Sequence, residues 1–133
     1  MSVALTAQEI YPSLTCSDLH KSIAFYEGLG FVIVHRHEEK GVLAFVSLKG
    51  GSATVGLGQD DFAKGRDRTK GVGARCWVTT TQDITALAES AKKAGVTLDE
   101  GPAPLPWGPM AFAVTDPDGF KLTVVAATMP SGW

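Results

Sequence analysis

The chain carries, at residues 112–125, the stretch FAVTDPDGFKLTVV, which consists of two apolar, β-prone runs joined by Asp-Pro-Asp-Gly. Proline presets the backbone for the second position of a tight turn, and Gly119 tolerates the positive φ that closes a short hairpin loop. The stretch therefore predicts an antiparallel hairpin near the end of the chain. Its second strand contains Thr123, a position that bears on the question of a metal site.

Two helices are predicted at matching places in the two halves of the chain. The first is capped by Asp18 and stopped by Gly28 and Gly30, and the second runs from Asp83 to Gly95 with an apolar stripe at helical spacing. Asp83 follows Asp18 by 65 positions, and Gly95 follows Gly30 by the same 65. The equal offset indicates an internal duplication.

β-Prone runs surround both helices in the same order. They lie at 10–16, 31–37, 42–48, 53–57, 74–79, 96–98, 110–114 and 120–125. Each half therefore reads strand, helix, strand, strand, strand. We expect one α+β domain over residues 1–133, with a βαβββ module at 8–58, a charged and glycine-rich linker at 59–72 that has room to act as a lid, and a second module at 73–127.

The composition is that of an ordinary soluble domain. Of 133 residues, 44% are hydrophobic and 20% charged, and the formal net charge is -2, so nucleic acid and anionic membranes are not expected partners. No apolar run approaches the roughly 18 residues of a membrane span, and the N-terminus lacks signal-peptide features, which predicts a cytoplasmic protein. Cys16 and Cys76 are predicted to be free thiols.

Short motifs along most of the chain resemble those of a known superfamily. They are Ser17-Asp18-Leu19, Ser22-Ile23-Ala24-Phe25-Tyr26, Leu29-Gly30-Phe31, Trp107-Gly108 and Asp116-Pro117-Asp118-Gly119. In this order they resemble the vicinal oxygen chelate superfamily, which includes glyoxalase I, extradiol dioxygenases and the bleomycin resistance proteins. The resemblance implies two curled, mixed four-stranded sheets that enclose a cavity, with a helix on the outer face of each.

The resemblance also implies four positions at which metal-dependent members carry ligands. In this chain they are occupied by Tyr11, Gly56, Gly73 and Thr123. None offers the imidazole nitrogen or carboxylate oxygen that a divalent ion prefers, and neither do their immediate neighbours. We therefore expect no metal, no cofactor and no catalytic residue, and a likeness to the metal-free bleomycin resistance type; whether the chain is an enzyme stays open.

Aromatic and small residues around these positions favour an organic guest instead. The predicted ligand-binding residues are Tyr11, Phe45, Arg75, Trp77, Trp107, Phe112 and Thr123. The aromatic side chains would stack on the guest and Arg75 would hold an anionic or carbonyl group, although the pattern does not decide which face of their strands Phe45 and Phe112 occupy. The function predicted is sequestration of a small hydrophobic or aromatic compound by a homodimer, since relatives commonly pair.

Two other functions stay open. His35 and His37 lie two apart on a predicted strand, so they share a face and could belong to an atypical metal site in a glyoxalase-like lyase, isomerase or dioxygenase. We favour the interpretation that they are two exposed histidines approaching the turn at Glu38-Glu39-Lys40, because the sequence places no third ligand nearby. Alternatively, the cavity is vestigial and the domain acts through protein contacts.

Overall fold

The structure is a computed structural model that describes residues 3–127. Its helices are α1 (Leu19–Leu29) and α2 (Ile84–Lys93). Its strands are β1 (Ser13–Cys16), β2 (Val32–Glu39), β3 (Val42–Gly50), β4 (Ala53–Gln59), β5 (Arg75–Thr80), β6 (Leu98–Pro104), β7 (Met110–Thr115) and β8 (Lys121–Ala126). The element order confirms the α+β class and the two βαβββ modules, since each half contains a strand, a helix and three further strands.

The two helices begin in the same way. The carboxylate of Asp18 accepts hydrogen bonds from the backbone N–H groups two and three positions further on, and that of Asp83 does the same in the second module. These bonds satisfy N–H groups that a helix start otherwise leaves without partners. The 65-residue offset read from the sequence therefore matches a repeated structural cap.

The end of α1 differs from the prediction, because the helix continues through Gly28 and stops at Gly30, where φ is 108°. A Cβ on Gly28 would lie 2.9 Å from Cγ2 of Val96, just beyond α2. Gly28 therefore allows the two helices to approach each other. Gly30 provides the left-handed stop.

Each module forms one mixed sheet. The strand orders are β1-β4-β3-β2 and β5-β8-β7-β6, with the first pair of each sheet parallel and the other pairs antiparallel. The predicted strand at 96–98 lies instead at Leu98–Pro104, because Val96 packs into the core directly after α2. Its two prolines and two register shifts suit an edge position, which β6 occupies.

A single apolar core joins the two modules. It contains the helix-side residues of both sheets, including Val46 and Leu57 of the first and Val114 and Leu122 of the second. The opposite face of each sheet is open, and the two sheets are not closed on each other. Among residues 3–127, no helix is long and apolar enough to cross a membrane.

The predicted hairpin joins β7 to β8 and also connects the modules. Asp116 and Phe120 close the turn by backbone hydrogen bonding, and Gly119 adopts a φ of 90°. The backbone N–H of Ser17, at the start of α1, donates to both carboxylate oxygens of Asp118 at 3.1 Å. The turn is thus fastened to the first module.

The segment between β4 and β5 lies against the same turn. A Cβ on Gly71 would fall within the backbone of Gly119, so only glycine allows this approach. The Lys70 ammonium, 3% exposed, donates to Ser17 Oγ at 3.0 Å and pairs with Asp60 at 3.1 Å. This segment is therefore fixed at the turn by specific contacts.

Candidate functional site

The open face of the second module contains a hollow of about 360 Å³. Thr123 of β8 lies opposite Trp77 of β5 on one side and opposite Ala113 of β7 on the other. Residues directly opposite in a sheet share a face, so these three side chains form one row across it. In the next row Ala111 of β7 lies opposite Val125 of β8. Because the side chains of Ala111 and Ala113 are small, the middle of this face is recessed.

Trp77, which lines this hollow, forms an aromatic pair with Trp107. Their ring centroids are 6.2 Å apart at an interplanar angle of 47°, and each residue is 49% exposed. Trp107 lies in the loop between β6 and β7, which is closed by hydrogen bonds between Leu105 and the backbone of residues 108 and 109. Indole rings that are half exposed beside a cavity offer stacking area to a guest at little further desolvation cost.

Arg75 lies across the floor of the hollow. Its Nη1 donates to Thr123 Oγ1 at 2.8 Å, and Thr123 is 5% exposed. Lys121 lies directly opposite Arg75, and its Nζ donates to Thr115 Oγ1 at 3.4 Å. The side of the hollow formed by β5 and β8 is therefore cationic.

The side of the hollow formed by β6 is acidic. Asp99 and Glu100 border it, and Thr115 Oγ1 donates to the Asp99 carboxylate. The hollow thus has a cationic and an acidic side separated by the alanines of β7. Such a site can orient a guest that carries charge at one end.

The open face of the first module is arranged differently. Phe45 of β3 lies opposite Gly58, and its ring covers both Gly58 and Gly56: its Cζ is 2.8 Å from the place that a Cβ on Gly56 would take. His35 and His37 lie on the same face, opposite Ser47 and Phe45. This face is therefore a flat surface formed by an aromatic ring, two imidazoles and small residues.

The structure places the seven predicted ligand residues in three groups. Arg75, Trp77 and Thr123 line the hollow, and Trp107 packs against Trp77 without lining it. Tyr11, which is 46% exposed, precedes β1 and so lies on the first module, as Phe45 does. Phe112 lies opposite Val124 on the helix side, is 3% exposed and borders the hollow only from the core.

The four positions at which related proteins would carry metal ligands do not fit a divalent ion. Gly56 is covered by the Phe45 ring, and the Thr123 hydroxyl is bonded to the Arg75 guanidinium, a cation that would repel a metal ion. Tyr11 and Gly73 precede β1 and β5 instead of lying within them. Within residues 3–127, no three His, Cys, Asp or Glu side chains are grouped so as to hold a metal.

The two cysteines are free, as predicted, and neither is suited to nucleophilic chemistry. Burial raises the pKa of Cys16 to about 11 and also raises the pKa of Cys76, with Asp116 adding to both shifts. The thiolate is the reactive form of cysteine, and a raised pKa leaves very little of it at neutral pH.

A larger hollow of about 880 Å³ lies between the modules. It is bordered by the edge strands β1 and β5, by the turn between β3 and β4, and by core residues such as Leu122. Its polar side chains include those of residues 79–82, Ser52 and Thr54, and Trp77 borders it as well. We favour the smaller hollow as the candidate site, because there Trp77 and an oriented cation converge.

Sequence reasoning missed the buried polar link between the modules. The Tyr26 hydroxyl donates to Asp116 Oδ2 at 2.8 Å, while Asp116 Oδ1 accepts from the N–H groups of Asp118 and Phe120. Burial raises the pKa of Asp116 and that of Tyr26. The only available signal was that Tyr26 and the Asp-Pro-Asp-Gly turn both belong to the motifs of the resemblance.

Comparison with known proteins agrees with this architecture. A structure from Sphaerobacter thermophilus, described as a member of the glyoxalase/bleomycin resistance protein/dioxygenase superfamily, is 26% identical with a TM-score of 0.69, covering 92% of this chain and 99% of its own. A bleomycin-binding protein solved with bleomycin is 24% identical, with a TM-score of 0.64 and coverage of 90% and 98%. A bleomycin resistance determinant encoded on transposon Tn5 is 23% identical, with a TM-score of 0.67 and coverage of 92% and 100%.

A comparison with curated protein sequences finds no match. The family model of the Glyoxalase/Bleomycin resistance protein/Dioxygenase superfamily matches residues 8–124, which include all of both helices and nearly all of the two sheets. The chain therefore belongs to the glyoxalase/bleomycin resistance protein/dioxygenase superfamily.

Proposed function

We propose that this protein binds and sequesters a small hydrophobic or aromatic compound without a metal ion, and so protects the cytoplasm from it. The observation that carries the proposal is that the Trp77–Trp107 pair lies beside a hollow whose base includes the small side chains of Ala111 and Ala113. The volume of about 360 Å³ suits a guest of one or two rings. The bleomycin-binding relative supports the general idea of a small-molecule guest.

We further propose that two copies complete the site. In one chain the hollow is open on its outer side, and the Tyr11 and Phe45 face of the first module is open as well. Placing the first module of one copy over the second module of another would bring all the predicted aromatic side chains except the core residue Phe112 around one guest. In this arrangement each chain acts as one domain, with modules 8–58 and 73–127 joined by 59–72.

Ligand screening with matched variants tests the binding proposal. A library of one- and two-ring aromatic compounds is screened by thermal shift, where a guest at 100 times its Kd stabilises the fold by about 2.7 kcal/mol. Trp77→Ala and Trp107→Ala should each abolish the shift, whereas Phe62→Ala, an aromatic substitution in the segment between the modules, should leave it unchanged. Because Trp77 borders both hollows, Ala113→Leu, at a residue that lines the smaller hollow alone, locates the guest: binding that survives this substitution would rule out the smaller hollow, with the larger one between the modules as the alternative.

The dimer is tested by light scattering coupled to size exclusion. We expect a mass of twice the 14.0 kDa chain. A monomer that binds its guest with full affinity would contradict the shared site and leave the hollow of the second module intact as a binding site.

His35 and His37 favour one second candidate, a glyoxalase-like lyase, isomerase or dioxygenase with an atypical metal site. Both imidazoles lie on the open face of the first module, and His37 Nε2 is 3.4 Å from Glu39 Oε1. Metal analysis of the purified protein separates the two proposals. Stoichiometric nickel, zinc, iron or manganese that is lost in His35→Ala and His37→Ala, together with an activity removed by chelation, would support the enzyme and overturn the metal-free site.

A further inference from the structure

The Arg75 guanidinium is held in an unusual place for an arginine at the end of an edge strand. Arg75 is exposed, and its guanidinium reaches across to β8, where Nη1 donates to Thr123 Oγ1 at 2.8 Å. That bond uses one of the five N–H donors of the guanidinium. The side chain is therefore fixed over the floor of the hollow while its other donors stay available to a guest.

The charge of Arg75 is not neutralised by a neighbouring carboxylate. Among residues 3–127, neither Arg75 nor Lys121 forms an ion pair, although the two lie directly opposite each other. Asp99 and Glu100 lie beyond them on β6, where the Asp99 carboxylate accepts from Thr115. Lys121 is linked to the Asp99 carboxylate through the Thr115 hydroxyl, so among the described residues Arg75 is the cation of the hollow that has no acidic partner, and its free donors favour a bound anion.

The position of Trp77 determines which edge of a stacked guest would carry the negatively charged group. Trp77 lies two residues after Arg75 on β5 and therefore on the same face, with Thr123 directly opposite. A ring stacked on Trp77 would place one edge at the guanidinium. Glu100 lies opposite Ala113, further along the same row beyond Thr123, and would repel a second negative charge on that side of the guest.

From this arrangement we infer that the guest is a planar aromatic compound carrying a carboxylate, and that Arg75, positioned by Thr123, binds the carboxylate. This inference rests on the aromatic site proposed above and adds the acidic group. A guanidinium matches a carboxylate with two parallel N–H···O bonds, which an ammonium group cannot reproduce. Arg75 therefore contacts the guest directly, and Thr123 is a positioning residue.

The test compares 2-naphthoate with 2-naphthamide, two probes of nearly equal shape that differ in charge. Dissociation constants are measured by tryptophan fluorescence and calorimetry. We expect the wild type to bind the acid about tenfold to a hundredfold more tightly than the amide, as charge-assisted hydrogen bonds contribute that much. Arg75→Gln should remove this preference by weakening the acid alone, whereas Arg36→Gln, an exposed arginine of β2 on the other module, should keep it.

Thr123→Val tests the positioning role. It keeps the charge of Arg75 and nearly the same volume but removes the acceptor for Nη1. The preference for the acid should fall several-fold and its salt dependence should persist, because the guanidinium is still present but no longer held in place. Retention of the full preference in Thr123→Val would overturn the positioning role.

The outcomes separate this inference from the proposal on which it rests. Equal binding of acid and amide by the wild type, or equal weakening of both in Arg75→Gln, would overturn the carboxylate and leave the aromatic site standing. Failure of a folded wild type to bind either probe would overturn the aromatic site of this size and the carboxylate with it.

Discussion

The two modules share a strand order and a helix cap, but they distribute side-chain volume differently on their open faces. In the first module the large residue is Phe45 on β3, and its neighbour on β4 is Gly58. In the second module the small residue is Ala111 on β7, and its neighbour on β8 is Val125. The Phe45 ring can therefore lie over β4, whereas the Arg75 guanidinium reaches over Thr123 of β8. The same strand arrangement thus gives a surface covered by an aromatic ring in the first module and a hollow in the second.

The modules also differ in the turn that precedes their last strand. The β3–β4 turn, residues 50–53, forms no side-chain hydrogen bond to the other module within the described part of the chain. The β7–β8 turn is fixed to α1 through Asp118 and Ser17 and through Asp116 and Tyr26. The second module is therefore held by the first through one buried and one exposed polar contact, and the following predictions test each difference in turn.

Removing the Tyr26 hydroxyl should have the largest effect. Tyr26→Phe keeps the ring in the core but leaves one oxygen of the buried Asp116 carboxylate without a partner, which we expect to cost about 3 kcal/mol of unfolding free energy. Tyr11→Phe removes the same hydroxyl from an exposed ring and should cost nothing measurable. Chemical denaturation measures both, and equal stabilities would show that the link contributes little.

Filling the space under the Phe45 ring should have the next largest effect. A Cβ on Gly56 would lie 2.8 Å from Phe45 Cζ, so Gly56→Val forces the ring away and should lower stability by about 1–2 kcal/mol. Gly58→Ala is the control, because its Cβ would lie 3.6 Å from Phe45 at ordinary contact distance. In a Phe45→Ala background the cost of Gly56→Val should largely disappear, and a cost that stays the same would disprove the packing explanation.

The frame of this fold could be predicted from short, local signals. Asp18, Asp83 and the Asp-Pro-Asp-Gly turn each specify a local backbone geometry through a hydrogen bond or a fixed φ, so the caps and the last hairpin lie where they were expected. The start of β6 could not be placed, because Val96 is apolar and β-prone yet belongs to the loop that packs after α2. The apolar pattern at residues 96–98 indicates which side chains are buried, but it does not indicate which residues pair with a neighbouring strand.

The site was only partly predictable for a related reason. Alternation along 74–79 placed Arg75 and Trp77 on one face, and the register confirms this. The sequence does not decide which face Phe45 and Phe112 occupy, because residues on both sides of each strand are apolar, and the structure puts the two on opposite faces of their sheets. The contact between Arg75 and Thr123 joins strands 48 positions apart, and no local pattern contains it.

Separating the two tryptophans should have a smaller effect on stability than either substitution above. Trp107→Ala removes a tilted ring pair whose interaction is about 0.5–1.5 kcal/mol, and the half exposure of both rings places the expected loss at the lower end of this range. The coupled indole signal in the far-ultraviolet circular dichroism spectrum should disappear. A spectrum that keeps this signal would show that the rings are not paired in solution.

The smallest effect concerns two buried carboxylates, Asp60 after β4 and Asp116 after β7. Their contributions to stability should change in opposite directions as the pH falls. Hydrogen bonding from Phe62 and the Lys70 and Arg68 cations lowers the pKa of Asp60 to about 2, so its stabilisation is present above the unfolded pKa near 3.9 and is lost as pH falls toward 2. Burial raises the pKa of Asp116, so its ionised form opposes folding, and this penalty is relieved as pH falls. Melting temperatures of Asp60→Asn measured from pH 5 to pH 2 should therefore decline less than those of the wild type, while those of Asp116→Asn should decline more. If the curves of both variants run parallel to the wild-type curve, neither carboxylate changes its proton affinity on folding. The difference between the modules would then lie in packing alone.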